Sequence, residues 1–175
     1  VRRIGLDGVT LADLPEGLIE PLSTAGLTFS TSEDAITAHP THPLSAVEAE
    51  TGPHPGLPTD TAPQLAALLT QATGMSMVRE RIYPQRDTHV APLRAFGADI
   101  RATGPLIRVR GPVRLRAAEV EASDIRAVTA LLIAAMAADG TSTIRGLHHL
   151  RRGYGHLLDG LATLGAEITT APEVT

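Results

Sequence analysis

Asp60 stands in the stretch TGPHPGLPTDTAPQ (residues 51–64), where four prolines and two glycines surround a single acidic side chain. Prolines fix their backbone angles and lack an amide donor, so its GPHPGLP part (52–58) is neither helix nor central strand but a rigid loop. The other side chains with chemistry to offer are arginines. All 15 basic residues are arginine, in a chain whose formal net charge is −4. Arginine presents a planar, bidentate donor set to carboxylate or phosphate, so a few converging guanidinium groups would bind a small anion. Arg86 and Arg152 are singled out by position, because each falls where the second helix of a repeated unit is expected to start, and helix N-termini add positive potential.

The repeat is read directly from the residues. GMSMVRERIYPQR (74–86) aligns with GTSTIRGLHHLRR (140–152), matching Gly74 to Gly140, Ser76 to Ser142, Arg79 to Arg145 and Arg86 to Arg152. PLSTAG (21–26) and PLRAFG (92–97) are a weaker echo, and Thr59-Asp60 and Ser123-Asp124 each precede a long apolar run with helical spacing. A unit of sixty-odd residues is the simplest account. Residues 44–50 and 115–121 are β-rich, and 75–81, 106–110 and 141–145 look like strands. Gly97 and Gly165 mark helix stops, and "GADI" and "GAEI" after them begin further strands. The class is mixed α/β (α+β), with roughly β-α-β-α-β units. If such units pack side by side, equivalent helix starts converge, and a carboxylate, several arginines and helix N-termini meet at one anion site. The plainer reading of Thr59 or Asp60 is a cap for the helix APQLAALLTQ, worth ~1 kcal/mol.

Composition removes other classes. With 43% hydrophobic residues in 175, the chain buries a core, and the absence of cysteine excludes disulfides and thiolate metal ligands. That favours a cytoplasmic setting. The longest apolar run, 127–138, falls short of the about 20 residues a bilayer needs and reads as a buried helix, so no membrane partner is expected. A net negative charge and 2% aromatic residues argue against nucleic acid. The pairs His39/His42 and His148/His149 lack ligand companions, so no metal and no cofactor is expected. Met75, Met77 and Met136 read as core filler.

PGLPTD, RDTHVAPLRAFGADI, ASDIRAVTALLIAAMAADGTSTI and HLRRGYGHLLDGLATLGAEI together resemble the back part of the UDP-N-acetylglucosamine enolpyruvyl transferases, the 1-carboxyvinyltransferases that begin peptidoglycan precursor synthesis. The likeness covers most of residues 44–168. The shikimate-pathway enolpyruvyl transferases share the fold, but "PTD", "SDIRA" and "RGY" look more like the cell-wall enzyme. The resemblance implies two lobes, each an inside-out α/β barrel of three β-α-β-α-β-β units, with the active site between them. Residues 1–43 would end a preceding unit, and 44–112 and 113–175 would be two units of the same lobe. Phosphoenolpyruvate and UDP-N-acetylglucosamine are then the expected substrates, and the missing N-terminal lobe the expected partner.

The same resemblance implies roles. Asp60 of "PTD" would be the general base, Thr59 and Ile82 would line the sugar, and Arg86, Arg126 and Arg152 would engage the phosphoenolpyruvate anion. Asp124 would support the site, with His149 beside it. The chain departs from the family at Pro84-Gln85, where relatives carry Glu-Asn, and at Arg151, where they often carry aspartate. The family's catalytic lysine and its mobile loop lie in portions this sequence does not contain. It is therefore expected to be part of one lobe and inactive alone. A non-catalytic enolpyruvyl-transferase-like module, or a transferase with another acceptor such as shikimate phosphate, stays open.

Overall fold

The computed structural model describes residues 3–41, 43–151 and 153–171. Along the chain run β1 (Ile4–Asp7), α1 (Glu16–Ala25), β2 (Leu27–Ser32), β3 (Ala35–Pro40), β4 (Leu44–Ser45), β5 (Glu48–Glu50), α2 (Ala62–Leu69), β6 (Ala72–Arg79), α3 (Val90–Ala95), β7 (Asp99–Thr103), β8 (Leu106–Gly111), β9 (Glu119–Glu121), α4 (Ile125–Ala137), β10 (Thr143–Arg145), α5 (Leu147–Arg151) and α6 (Leu157–Thr163). β1, β3 and β2 form an antiparallel sheet in that order. β6 is the centre of the largest sheet: β4 and β5 pair with it in parallel, β8 pairs on its other side antiparallel, and β7 completes the edge. β9 and β10 make a separate parallel pair.

The sequence repeat has a structural cause at each described position. Gly74 and Gly140 both take positive φ, at 112° and 94°, and a Cβ on either would press on an alanine Cβ 3.2 Å away, Ala46 and Ala117 respectively. The Ser76 and Ser142 hydroxyls accept the amides of Val47 (3.1 Å) and Ala118 (3.3 Å), so each ties its strand to the preceding one. Arg79 pairs with Glu50, and Arg145 with Glu119, across the parallel strand pairs. These two arginines are structural ion pairs rather than anion ligands.

The core lies between the central sheet and a helical layer. α2 and α4 pack on each other, and both bury alanines (Ala62, Ala66 and Ala67; Ala127, Ala130 and Ala134), whose small side chains let the helices approach. Leu65, Leu69 and Leu131 are at most 2% exposed, each stabilising by about 1.5–3 kcal/mol. Inward-facing Val78, Ile100, Ile107 and Val109 meet the helices with Leu93 and Phe96. α4 begins at Asp124, whose Oδ1 accepts the amides of Arg126 (2.8 Å) and Ala127 (3.0 Å).

Several expectations change. α2 starts after Thr61, with Pro63 in its first turn, and neither Thr59 nor Asp60 caps it. Residues 166–170 form no strand: "GADI" becomes β7 because β8 pairs with it, while no strand among the described residues lies against "GAEI". Met75 is exposed and Met77 half-buried, because β6 turns its odd-numbered residues away from the face that buries Ser76 and Val78, and Met136 is exposed on α4, whose buried face carries Ala127, Ala130, Leu131 and Ala134. Gly97 and Gly165 do follow helices in the left-handed region, at φ 91° and 97°. No helix is long and apolar enough to cross a membrane among the described residues. They form no closed barrel, only the open sheets above.

Candidate functional site

The proline-rich loop is built as rigidly as its composition suggests. Its ends are tied where Gly52 N–H donates to the Leu57 carbonyl (3.0 Å) and Gly56 N–H to that of Pro53 (2.8 Å). A tight turn follows, in which the Thr61 amide and hydroxyl both donate to the Pro58 carbonyl at 3.0 and 2.9 Å. α1 backs the loop. Gly17, in its first turn, lies so close that a Cβ there would sit 2.1 Å from the carbonyl carbon of Gly56. No side chain fits between them.

Asp60 is thereby held out toward two arginines. Arg126 grips it with two hydrogen bonds, Nε to Oδ1 at 2.6 Å and Nη2 to Oδ2 at 3.1 Å. Arg86 Nη1 donates to Oδ1 at 2.6 Å and to the Thr59 hydroxyl at 2.9 Å. Its guanidinium also lies 4.5 Å over the Tyr83 ring, a cation–π arrangement that steadies it. Arg126 first, then Arg86, hold the Asp60 carboxyl below the usual carboxylate value against the upward push of burial. Arg126 is raised in turn by Asp60. Asp60 is therefore an anion whose basicity is suppressed while both arginines stay on it.

Three further acids and bases surround this ion pair. Asp124 serves α4 with one oxygen and accepts the Thr88 hydroxyl at 2.6 Å with the other. Burial pushes its carboxyl up, but those hydrogen bonds and the Arg126 charge bring it below the ordinary value. Glu80, 3% exposed, accepts the hydroxyls of Thr51 (2.6 Å) and Thr59 (2.7 Å) and the amides of Ile82 (2.8 Å) and Tyr83 (3.0 Å). Burial raises it too, and the four donors outweigh that. His89 is fully buried, and among the described residues neither ring nitrogen has a hydrogen-bond partner. Burial lowers it to about 4, opposed by Asp124, Asp87 and Glu80 and reinforced by Arg86.

Two clefts meet at the ion pair. One, of about 570 Å³, is lined by Tyr83, Pro84, Gln85, Arg86, Thr88, Asp124 and Arg126. The other, of about 400 Å³, runs between α1 and the proline-rich loop and is lined by Thr59, Asp60 and Ile82 together with loop residues and Glu16. Of the residues expected at the site, Thr59, Asp60, Arg86, Asp124 and Arg126 are joined by hydrogen bonds, with Ile82 beside Asp60 in the second cleft. Arg86 sits in the loop before α3 rather than in the helix itself. His149 lies half-buried on α5 with its ring 4.0 Å from that of His148, and lines neither cleft. Arg152 lies outside the described residues. Among those described, no cluster of His, Asp or Glu has the arrangement of a metal site.

Glu80 and His89 are the residues sequence reasoning passed over. A signal for Glu80 exists: the alternation Ser76, Val78, Glu80 puts an acid on the inward face of β6 and its continuation. For His89 the sequence carries none.

The chain is similar to known proteins over most of its length. Residues 3–161 match the family described as EPSP synthase (3-phosphoshikimate 1-carboxyvinyltransferase). The chain is 41% identical over 155 residues to the UDP-N-acetylglucosamine 1-carboxyvinyltransferase of Sulfurovum sp. (strain NBC37-1), which covers 89% of this chain and 37% of that protein. The like-named protein of Campylobacter jejuni subsp. doylei is 39% identical over 171 residues, 98% of this chain and 41% of its own length. Among solved structures, the enolpyruvyl transferase NikO from Streptomyces tendae superimposes with a TM-score of 0.82 at 35% identity, over 90% of this chain and 37% of that one. EPSP synthase from Acinetobacter baumannii, at 16% identity and TM-score 0.63, shares the fold over 89% of this chain and 37% of its own. The chain thus spans a little over a third of the length of these relatives.

Proposed function

Because the chain belongs to the EPSP synthase (3-phosphoshikimate 1-carboxyvinyltransferase) family, we propose that it is part of an enolpyruvyl transferase acting on phosphoenolpyruvate and UDP-N-acetylglucosamine. The observation that carries this reading is the Asp60 ion pair at the seam of two clefts, one holding Arg86 and Arg126 and the other Thr59 and Ile82. The arginine cleft suits an anion bearing carboxylate and phosphate, and the second cleft suits a sugar whose hydroxyl must reach Asp60. When phosphoenolpyruvate takes up the guanidinium groups, Asp60 loses the partners that suppress its basicity and can accept the hydroxyl proton. The hydroxyl oxygen bonds to the central carbon while an acid of the lobe outside this chain protonates the terminal carbon. Loss of that proton with expulsion of phosphate then restores the double bond as an enol ether. Arg86 and Arg126 stabilise the charge throughout.

On this reading residues 1–43 end one repeat unit, 44–112 and 113–175 are two more of the same lobe, and a second lobe covers the clefts. Arg152 joins the anion site, Asp124 supports it from the cap of α4, and His149 stands farther off. A part in peptidoglycan precursor synthesis and a cytoplasmic setting follow from the same substrates. Pro84 and Gln85, which line the arginine cleft in place of the family's Glu-Asn pair, favour a second reading: the same transfer to a different acceptor, such as shikimate phosphate.

The test is phosphate release by the complete enzyme from phosphoenolpyruvate with each acceptor. Release with UDP-N-acetylglucosamine, lost in Asp60→Asn, supports the first reading; release only with another acceptor replaces it with the second. No release with any acceptor, from a folded protein carrying both lobes, leaves a non-catalytic module. The 175-residue chain alone should release none.

A further inference from the structure

Glu80 is a buried acid that no ion pair reaches among the described residues. Taking a carboxylate out of water costs several kcal/mol, so its retention calls for a reason. Its four partners are all donors: the Thr51 hydroxyl from the end of β5, the Thr59 hydroxyl from the proline-rich loop, and the amides of Ile82 and Tyr83 from the loop that carries Arg86. An ionised carboxylate accepts from all of them, whereas a glutamine of the same shape would turn an NH₂ group toward one.

The Thr59 hydroxyl has a single proton. With Glu80 an obligate acceptor 2.7 Å away, that proton points at Glu80, and the oxygen's lone pairs are left for Arg86 Nη1 at 2.9 Å. The same Nη1 reaches Asp60 at 2.6 Å. A one-way chain of hydrogen bonds therefore runs from Arg86 through Thr59 to Glu80. We propose that Glu80 is a positioning residue, whose charge orients the Thr59 hydroxyl and so aims Arg86 at Asp60. The proposal rests on reading Asp60 and Arg86 as working groups of a transferase, yet its test reads their geometry rather than turnover.

The test is a carbon-13 NMR titration of the Asp60 carboxyl in the complete protein, in the wild type and in Glu80→Gln and Thr59→Val. Removing the negative charge of Glu80 would by field alone lower the Asp60 midpoint, since one less anion faces it. Loss of aim has the opposite sign: with Arg86 displaced, the midpoint rises by roughly half a unit or more in both variants. Arg126, the other arginine on Asp60, and Glu16, which shares its cleft, are unchanged in both. Thr51→Val removes a donor from the far side of Glu80 and should leave the Asp60 midpoint in place. A fallen or unmoved midpoint in folded Glu80→Gln overturns the proposal; should that variant not fold, an unmoved midpoint in Thr59→Val does so. If the wild type releases no phosphate while the midpoint still rises in the variants, the positioning role stands and the transferase reading fails.

Discussion

Lowering the pH from 7.5 to 5 should destabilise the protein through His89, whose ring is sealed in the core with neither nitrogen hydrogen-bonded among the described residues. Its folded value is about 4 against an ordinary 6.5. Above 6.5 the ring is neutral in both states and adds no pH dependence; as pH falls below 6.5 the unfolded chain gains a proton that the folded one refuses, so stability is lost until about 4. At 1.36 kcal/mol per unit, the loss reaches about 1.4 kcal/mol at pH 5.5, about 2 at pH 5 and about 3 near pH 4. The carboxyls of Asp60, Glu80 and Asp124 all lie below their ordinary values, so their contributions persist above the unfolded carboxylate range and fail only at lower pH. The interval from 6.5 to 5 therefore isolates the histidine. His89→Leu supplies the comparison, because an apolar side chain of similar size gives up no hydrogen bond there. Urea denaturation of both proteins at pH 7.5, 5.5 and 5 should show the variant gaining about 2 kcal/mol on the wild type across the series. Parallel pH curves would refute the reasoning and place an acceptor or solvent at the ring.

Asp60→Asn in the complete enzyme should lower turnover by about 10²–10⁴-fold, measured as phosphate release, while the thermal midpoint changes little because an exposed ion pair contributes about 0–1 kcal/mol. Asp124→Asn keeps an oxygen for the α4 amides and should have the smaller kinetic effect; Asp124→Ala, which removes the cap, should cost about 0.5–2 kcal/mol in urea denaturation. Gly17→Ala forces a Cβ against the Gly56 backbone, so a stability loss of roughly 1–3 kcal/mol should come with impaired turnover; an unchanged rate would uncouple α1 from the loop that aims Asp60. Inorganic phosphate should perturb Arg86 and Arg126 together in NMR spectra and bind more weakly as salt rises; signals that respond separately would divide the anion cleft.

The parts of this molecule legible in its sequence are those where a residue type permits few alternatives. Prolines at 53, 55 and 58 exclude helix and central strand, and the run is a loop closed by its own hydrogen bonds. The Gly74/Gly140 and Ser76/Ser142 matches were visible because each pair does one job twice, a left-handed backbone turn and an amide acceptor. Arg126 was found through its motif, not through spacing, since its bond to Asp60 spans 66 residues. Capping was misjudged at Asp60 because Thr59-Asp60 and Ser123-Asp124 look alike before an apolar run. Where each helix begins is decided by tertiary packing and by Pro63. The strand expected at "GAEI" failed for a related reason: a strand requires a neighbour, and no local pattern supplies one.

Two aspartates at matching places in the repeat perform opposite duties. The helix of the second unit begins immediately after Asp124, which is thus taken up by backbone amides. In the first unit the helix begins one residue later relative to its aspartate, and Pro63 in its opening turn brings no amide that needs an acceptor. Asp60 is thereby released from structural service and meets arginines instead. Repetition of a unit allows such a division of labour: one copy keeps the carboxylate that caps its helix, and a shift of one residue in helix start leaves its twin free to pair with arginines. In proteins built this way, evolutionary novelty is to be sought where the copies differ in helix register as well as where they differ in residue identity.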